Sequence, residues 1–326
     1  MTGEVLRWGV LGTGGIARSF VADHAMTTSG RIVAVGSRER GSADRFGDAF
    51  GVDRRHGSYE ALVQDPEVDV VYVATPHPMH HRDCLAALQA GKAVLVEKPF
   101  TMDADEAREL VGTARSRGLF LMEAMWTRFL PHVREIRRLI ADGALGEIVS
   151  VTADHGQWFT YDPAFRLFAP GLGGGALLDL GVYVVSLASM VLGRPDRVVA
   201  LADRAPTGVD SQTSVLLGYP GGAQAALTCT LRARSPNRAA IVGTKARIEV
   251  DGVFYAPTTF SLVSTDGSTV RYEHAHEGRG LRHQADEVAR CLRDGLVESP
   301  EMPLDETVAI METMDAVRAS CSSEGT

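Results

Sequence analysis

A glycine-rich turn near the N-terminus constrains the fold of this chain more than any other feature. The segment Gly12-Thr13-Gly14-Gly15-Ile16-Ala17 fits the pattern G-x-G-x-x-A. It follows an apolar run, Val5–Leu11, that predicts a strand, and it opens a predicted helix, Ile16–Thr27. Glycines at such a junction let the backbone approach a pyrophosphate, and the helix N-terminus offers N–H groups and partial positive charge. A dinucleotide site is predicted at Gly12, Thr13, Gly14, Gly15 and Ile16; an ordinary glycine-rich turn is the alternative.

Strands and helices alternate in the pattern over residues 1–123. The predicted strands are Val5–Leu11, Arg31–Gly36, Val68–Ala74, Ala93–Val96 and Leu119–Met122. The helices between them are Ile16–Thr27, a stretch ending at Phe50, His77–Ala90 and Asp103–Arg117. This alternation is typical of a doubly wound parallel sheet with right-handed crossovers. We therefore predict an α/β fold that begins with a Rossmann domain over residues 1–123.

The pattern changes in residues 124–326, where predicted strands follow one another without helices between them. These strands are Val149–Ala153, Val198–Ala202, Ser214–Leu217, Ala225–Leu231, Arg247–Val250 and Thr259–Val263. Predicted helices lie at Leu130–Asp142, Leu281–Asp294 and Asp305–Ser320. Consecutive strands favour antiparallel pairing. The prediction is a C-terminal α+β domain with a largely antiparallel open sheet, which binds substrate and mediates oligomerisation.

Length and composition limit the class of protein. A chain of 326 residues with 45% apolar and 23% charged residues suits two globular domains. A net charge of −8 argues against a nucleic-acid surface. We expect no apolar run that approaches the ~20 residues needed to span a bilayer. The first strand starts so early that a signal peptide has no room, so a cytoplasmic protein without membrane contact is expected.

No metal site is predicted. The four cysteines are scattered and form no C-x-x-C pair, so free thiols are expected. His77, His80 and His81 have a spacing that permits metal ligation, but no acidic or thiol ligand stands beside them in the sequence.

The end of the second strand indicates which dinucleotide is bound. An acidic residue there would bind the ribose 2′-hydroxyl, but this chain has Ser37-Arg38. A guanidinium can pair with a 2′-phosphate in a two-point contact, and a serine hydroxyl can donate to it. NADP is therefore predicted in preference to NAD. Glu39 would weaken this prediction if its side chain turned inward, and a solvated Ser-Arg pair is the alternative.

Four segments along the chain carry a resemblance to a known family. Glu97-Lys98-Pro99 follows the predicted strand Ala93–Val96. With Thr75–His80, Gly173–Tyr183 and Gly243–Lys245, this signature resembles the Gfo/Idh/MocA oxidoreductases. The resemblance covers essentially the whole chain. Phe120–Phe129 is similar to the branch of dimeric dihydrodiol dehydrogenases and D-xylose:NADP dehydrogenases.

The resemblance implies further cofactor contacts. It makes Thr75-Pro76 and His80 part of the loop on the nicotinamide side, and it puts Glu97 and Lys98 at the sheet edge where ligands bind. It also suggests that Trp126 and Arg128 line the nicotinamide and pyrophosphate side. A packing tryptophan and a surface arginine are the alternative for the last two.

The same resemblance supplies a catalytic set of Lys98, Tyr183 and Asp179. Tyr183 would be the acid/base, and Lys98 would face it across the cleft between domains. Ionising a tyrosine at neutral pH costs roughly 4 kcal/mol. A lysine ~4 Å away contributes about 4 kcal/mol at an effective dielectric constant near 20, which nearly offsets that cost. Asp179 would hold Lys98 charged or bind a substrate hydroxyl. The alternatives are an ordinary turn at Lys98 and a core tyrosine at Tyr183.

Substrate contacts are predicted at Trp126, Phe159, Arg166 and Asp179. An aromatic wall with a guanidinium would suit a cyclic diol or sugar, whereas loop packing is the alternative for Phe159 and Arg166. The expected activity is NADP-linked hydride transfer at a carbinol or carbonyl of a cyclic sugar, polyol or vicinal dihydrodiol. A non-catalytic NAD(P) sensor and an inositol or keto-sugar dehydrogenase remain alternatives. A homodimer or higher homo-oligomer through the C-terminal sheet is also expected.

Overall fold

The computed structural model describes residues 5–322, and the chain divides into two compact units. The first unit comprises Met1–Phe129 and Glu277–Thr307, and the second comprises Leu130–His276 and Val308–Thr326. The predicted single division at residue 123 is therefore corrected. Residues 277–307 return to the first unit because the Asp23 carboxylate accepts the backbone N–H groups of Arg279 and Leu281, a long-range contact that no local pattern announces.

The first unit is built on six parallel strands. They are β1 (Leu6–Leu11), β2 (Gly30–Gly36), β3 (Arg54–His56), β4 (Val70–Val73), β5 (Ala93–Glu97) and β6 (Leu121–Ala124). Their order in the sheet is β3-β2-β1-β4-β5-β6, the doubly wound order of a dinucleotide-binding fold. Strands β4, β5 and β6 are buried along their whole length, as expected for a parallel sheet covered on both faces. The predicted Rossmann fold is confirmed.

Helices connect these strands. They are α1 (Gly15–His24), α2 (Arg40–Phe50), α3 (Tyr59–Val63), α4 (His80–Gln89) and α5 (Ala104–Arg117). Trp126–Phe129 forms a 3₁₀ turn at the end of the first segment. Strand β3 and helix α3 escaped the sequence prediction. The sequence of β3 is Arg-Arg-His, and without apolar alternation an edge strand of three polar residues gives no periodic signal.

The second unit is built on a mixed eight-stranded sheet. Its strands are β7 (Ile148–Gly156), β8 (Arg197–Arg204), β9 (Asp210–Gly218), β10 (Gln224–Thr230), β11 (Ala239–Gly243), β12 (Ala246–Val250), β13 (Phe260–Ser264) and β14 (Thr269–Tyr272). Their order is β14-β13-β12-β11-β7-β10-β9-β8. Among the described residues of this sheet, only β7 and β10 pair in parallel, so the largely antiparallel sheet is confirmed.

The remaining helices are α6 (Pro131–Ala141), α7 (Val182–Leu192), α8 (Arg282–Arg293) and α9 (Leu304–Ser322). A π-helical turn, Leu177–Gly181, leads directly into α7. The helical segment Pro170–Leu192 is long and apolar enough to cross a membrane by length and composition, contrary to the sequence expectation. Buried core helices can be equally long and apolar, and 78% of the most apolar stretch of Pro170–Leu192 is buried inside the protein.

One face of the eight-stranded sheet is exposed. Val199, Leu216, Ala226 and Thr152 lie side by side across β8, β9, β10 and β7. Val199 and Leu216 are each 58% exposed, and Leu201 of the same face is 61% exposed. The opposite face is buried: Cys229 of β10 packs with Ala176 and Leu180. Within the described residues, the uncovered apolar surface of this sheet is concentrated on β8 and β9.

Candidate active site

The glycine turn between β1 and α1 has the geometry of a nucleotide site. Gly12 has φ +102°, and a Cβ at this position would lie 2.6 Å from the carbonyl oxygen of Ala74. A Cβ at Gly14 or Gly15 would meet no atom within 4 Å. Gly14 caps α1 without a side-chain hydrogen bond, and the first turn carries no acidic residue. The helix end therefore presents backbone N–H groups and positive potential toward open space, which suits a pyrophosphate.

Ser37 and Arg38 lie immediately after β2. Ser37 is buried, and its Oγ accepts a hydrogen bond from the backbone N–H of Glu39 at 3.4 Å. Arg38 is exposed, and its positive charge acts on the phenol of Tyr59. Burial raises the pKa of Tyr59, and the charge of Arg38 opposes that rise. The exposed Glu39 caps α2 and is hydrogen-bonded by the hydroxyl of Ser42.

His80 ties together two loops at the carboxyl edge of the first sheet. Its ring nitrogens lie 2.9 Å from the carbonyl oxygen of Thr75 and 2.8 Å from that of Pro99. Burial lowers the pKa of this fully buried imidazole, and the two carbonyls oppose the shift. The ring therefore contacts backbone on both sides, and it can influence a bound cofactor through the Thr75-Pro76 loop. The buried hydroxyl of Thr75 has no hydrogen-bond partner in the part of the chain that the structure describes.

Glu97 and Lys98 end strand β5 at the same edge. Glu97 is buried, and its Oε1 accepts a hydrogen bond of 2.5 Å from the hydroxyl of Tyr72. Its Oε2 accepts from the backbone N–H of Lys98 at 3.3 Å. Glu97 thus fixes the backbone that carries Lys98, while the lysine side chain is partly exposed.

Trp126 and Arg128 belong to the 3₁₀ turn after β6, and both are buried. The guanidinium of Arg128 is 3% exposed and lies 2.6 Å from Oε1 of Glu306. This ion pair holds the guanidinium of Arg128 in a buried position within the first unit.

Glu123, in strand β6, is fully buried next to this pair. Burial raises its pKa to about 7, while the charge of Arg128 and a hydrogen bond from Thr307 oppose the rise. Its Oε1 has no partner among the described residues.

In the second unit, Arg166 and Asp179 form an ion pair. The guanidinium nitrogens lie 3.0 Å and 3.3 Å from the two carboxylate oxygens. Asp179 belongs to the π-helical turn and its side chain is only 6% exposed, whereas Arg166 is 52% exposed. The carboxylate in an apolar helix therefore has the partner that its burial requires. Both residues were predicted to contact substrate, and the structure brings them together.

Tyr183, in the first turn of α7, lies in a group of aromatic rings. Its ring centroid is 5.2 Å from that of His155 and 5.1 Å from that of Tyr255. Sequence analysis missed both neighbours. His155 ends a strand and Tyr255 lies in the loop between β12 and β13, where no periodicity or motif marks them. Phe159 is partly buried and packs against the cluster that contains Leu167 and Leu180. This contact agrees with loop packing, the alternative role that the sequence left open for Phe159.

Among residues 5–322, no group of three or more His, Cys, Asp or Glu side chains is arranged to hold a metal ion. His81 instead contacts the carboxylate of Glu109 at 2.9 Å.

Family models match both halves of the chain. The oxidoreductase family with an NAD-binding Rossmann fold matches residues 6–125, and the GFO/IDH/MocA C-terminal domain matches residues 133–249. The chain belongs to the Gfo/Idh/MocA family. It is therefore an oxidoreductase with a nucleotide-binding Rossmann domain, as the resemblance predicted.

Relatives of this Gfo/Idh/MocA chain are similar along nearly the whole length. A trans-1,2-dihydrobenzene-1,2-diol dehydrogenase from Bos taurus is 38% identical over 96% of both chains. The crystal structure of an aldose-aldose oxidoreductase from Caulobacter crescentus matches with a TM-score of 0.90 at 26% identity, covering 98% of both chains. A 3-ketoreductase from Actinomadura kijaniata, in complex with NADP and TDP-benzene, matches with a TM-score of 0.87 at 29% identity. That match covers 97% of this chain and 98% of the other.

Proposed function

We propose that this Gfo/Idh/MocA member is an NADP-dependent dehydrogenase or reductase that acts on a carbinol or carbonyl of a cyclic sugar or vicinal dihydrodiol. The arrangement at the start of α7 carries the proposal. Asp179 is held by Arg166, and Tyr183 follows one helical turn later in an aromatic environment. A buried carboxylate, a guanidinium and a phenol offer hydrogen bonds to adjacent hydroxyl groups and a group that exchanges a proton.

The residues of the first unit fit a bound dinucleotide. Gly12, Thr13, Gly14, Gly15 and Ile16 would hold the pyrophosphate. The nicotinamide side would be formed or supported by Thr75, Pro76, His80, Glu97, Lys98, Trp126 and Arg128. His80 and Arg128 would act from buried positions. When bound, the nicotinamide accepts or supplies the hydride.

In this proposal Lys98 and Tyr183 act on the same carbinol. Tyr183 takes the hydroxyl proton during oxidation and returns it during reduction. The ammonium of Lys98 lowers the cost of ionising the phenol, because a positive charge favours the phenolate. Asp179 orients a substrate hydroxyl, and Arg166 holds the carboxylate in place. Trp126 and Phe159 complete the apolar side of the substrate site.

NADP is the proposed cofactor because Arg38 and Ser37 stand where an acidic residue would select NAD. The exposure of Arg38 supports this proposal, since it leaves the guanidinium accessible to a nucleotide directly after the end of β2. The relative from Actinomadura kijaniata whose structure contains NADP is consistent with it.

A homodimer through the exposed sheet face is the proposed assembly. Eight strands about 4.8 Å apart give a face roughly 34 Å wide, and strands about 20 Å long give an area of roughly 700 Å². That area approaches the ~800 Å² per partner of a stable interface. The apolar residues of β8 and β9 favour a second copy as the occupant, because a two-fold axis would bring identical apolar patches together.

We propose a cytoplasmic enzyme without nucleic-acid or membrane partners.

The decisive experiment follows reduced-cofactor absorbance with NADP⁺ and a panel that contains trans-1,2-dihydrobenzene-1,2-diol, D-xylose, other aldopyranoses and inositols. Wild type is expected to turn over a vicinal dihydrodiol or aldopyranose. Lys98→Met and Tyr183→Phe are expected to lower kcat by about 10²–10⁴-fold. Near-normal turnover in both variants would overturn the catalytic assignment. Flat traces from wild type with proven NADP binding would favour a sensor, and turnover of inositols alone would favour an inositol dehydrogenase.

A further inference from the structure

Tyr183 is one of three stacked or edge-packed rings that we call the aromatic triad: His155, Tyr183 and Tyr255. His155 and Tyr255 are stacked, with centroids 4.0 Å apart and an interplanar angle of 29°. Tyr183 meets His155 edge-on at 71° and Tyr255 at 42°. Each ring therefore contacts the other two, and the orientation of Tyr183 depends on both neighbours.

The hydrogen bonds of His155 fix its tautomer. Nδ1 lies 3.2 Å from the carbonyl oxygen of Leu180, which can only accept, so Nδ1 carries the proton. Nε2 then accepts a hydrogen bond of 3.0 Å from the side-chain amide of Gln157. Both ring nitrogens of His155 are therefore engaged in hydrogen bonds, one with Leu180 and one with Gln157. These two hydrogen bonds fix the orientation of the His155 ring beside Tyr183.

Gln157 also holds Tyr255. Its amide nitrogen donates to the Tyr255 hydroxyl at 3.1 Å and to His155 at 3.0 Å, which matches the two hydrogens of a primary amide. The Tyr255 hydroxyl therefore accepts from Gln157, and its own hydrogen points away from that amide. One side chain sets the orientation of both rings that pack on Tyr183.

The loop that carries Tyr255 is fastened to the end of β7. The backbone N–H of Phe254 donates to the carbonyl oxygen of Asn237 at 2.9 Å, and the Asn237 side chain pairs with both backbone groups of Gly156. Asp154 accepts the backbone N–H of Asn237 at 2.7 Å. Phe254 is 2% exposed and anchors the loop in the core. The loop that carries Tyr255 is therefore held by contacts to Gly156, the residue directly before Gln157.

We propose that Tyr255 is a positioning residue for Tyr183, acting through its ring and held by Gln157 and His155. The inference rests on the proposed function, because it assigns Tyr183 the acid/base role. A phenol that exchanges a proton must meet the substrate oxygen within hydrogen-bond distance, and displacements of about 1 Å can cost about 10²-fold in rate. Packing on two faces removes the rotational freedom that would allow such displacements.

The test compares Tyr255→Leu, which removes the ring, with Tyr255→Phe, which keeps the ring and removes the hydroxyl. Tyr272→Leu is the matched control, since Tyr272 stacks on Phe260 at 4.6 Å in the same unit but lies outside the triad. Steady-state rates with NADP⁺ and the best substrate of the panel give kcat and KM. Thermal melting and near-ultraviolet circular dichroism report folding. Gln157→Leu is a second variant, which keeps all three rings but removes the amide that orients two of them.

Tyr255→Leu is expected to lower kcat about tenfold or more with KM for NADP⁺ within about twofold. Tyr255→Phe should retain most of the wild-type kcat. The kcat of Gln157→Leu should lie between those of Tyr255→Leu and Tyr255→Phe. Tyr272→Leu should have the kcat of wild type. If Tyr255→Leu does not fold, a kcat of Gln157→Leu below those of Tyr255→Phe and wild type would support the positioning role, and an equal kcat would overturn it. Equal impairment of Tyr255→Phe and Tyr255→Leu, or unchanged kcat in Tyr255→Leu, would overturn the proposal.

Tyr183→Phe separates this inference from the function on which it rests. An inactive Tyr183→Phe beside a fully active Tyr255→Leu removes only the positioning role. A fully active Tyr183→Phe removes the acid/base assignment and the positioning role with it.

Discussion

Arg166 contacts both carboxylate oxygens of Asp179, at 3.0 Å and 3.3 Å, although the two residues are thirteen positions apart in the sequence. The pair is asymmetric: the carboxylate side chain is 6% exposed and the guanidinium 52% exposed. Removing the guanidinium would take away one charged partner of a buried carboxylate, and such a loss can cost more than the pair itself contributes.

Arg166→Met is expected to lower the free energy of unfolding by about 1–3 kcal/mol, since water can partly reach the remaining carboxylate. It should also raise KM for the substrate, because Asp179 loses its orientation. Arg232→Met is the matched control: Arg232 pairs with Asp203, and both side chains are more than half exposed. That variant should lose no more than about 0.5 kcal/mol in urea unfolding. Equal losses in the two variants would contradict the structural role of the Arg166–Asp179 pair.

Substitutions in the glycine turn should separate folding from cofactor binding. Gly12→Ala puts a Cβ 2.6 Å from the Ala74 carbonyl at φ +102°, so a loss of about 1–3 kcal/mol in stability is expected. Gly14→Ala meets no atom within 4 Å at φ −71°, so it should fold normally yet bind NADP at least about tenfold more weakly. Calorimetric titration and thermal melting give both quantities. Gly112→Ala, with open space in α5, serves as the control and should change neither.

Arg38→Leu should reveal the cofactor preference. Losing a charged hydrogen bond to a phosphate is worth about 1.5–3 kcal/mol, so the dissociation constant of NADP should rise about 10- to 100-fold while that of NAD changes little. Arg40→Leu removes the same charge two residues away, where the side chain is 65% exposed and pairs with Asp44. It should leave the ratio of the two affinities unchanged. An unchanged ratio in Arg38→Leu would remove the argument for NADP.

Glu123→Gln should make stability less dependent on pH. The pKa of Glu123 is about 7 in the folded protein against an ordinary value of 4.5, so the folded state binds the proton more tightly than the unfolded state. The wild type therefore loses stability as pH rises from about 4.5 to 7, by about 3 kcal/mol in total. His24 and His132, whose pKa values fall to about 4, act in the opposite direction but cancel in the comparison.

Urea unfolding of wild type and Glu123→Gln at several pH values between 4.5 and 8 measures this difference. The two proteins should be nearly equally stable at the acid end, and the variant should gain with rising pH. A difference that stays constant across the range would show that Glu123 does not hold a proton in the folded state.

The exposed apolar residues of β8 and β9 should not tolerate an added charge if they join two copies. Val199→Arg places a cation in the apolar row of β8 and is expected to shift sedimentation at micromolar concentration from dimer to monomer. Val270→Arg is the control, because Val270 is 52% exposed on β14 and points to the other side of the sheet. It should leave the dimer intact. A wild type that sediments only as monomer would contradict the assembly.

Sequence patterns determined the nucleotide-binding half because its signals are local. The turn at Gly12–Ala17 needs backbone geometry that only glycine accepts easily, and apolar strands alternate with helices at regular spacing. Asp179 was predicted from the family resemblance, which the segment Gly173–Tyr183 carries. Local reasoning missed β11 and β14, which are short and either rich in alanine or at a sheet edge.

Tertiary structure alone decided what the local patterns could not contain. The return of residues 277–307 to the first unit, the burial of Glu123 and the meeting of Tyr255 with Tyr183 all join residues that are distant along the chain. The sequence by itself determined the fold class, the glycine turn and the family signature, because each depends on neighbouring residues. The partner of Asp179 and the rings around Tyr183 depend on long-range packing, which leaves no periodic trace in the sequence.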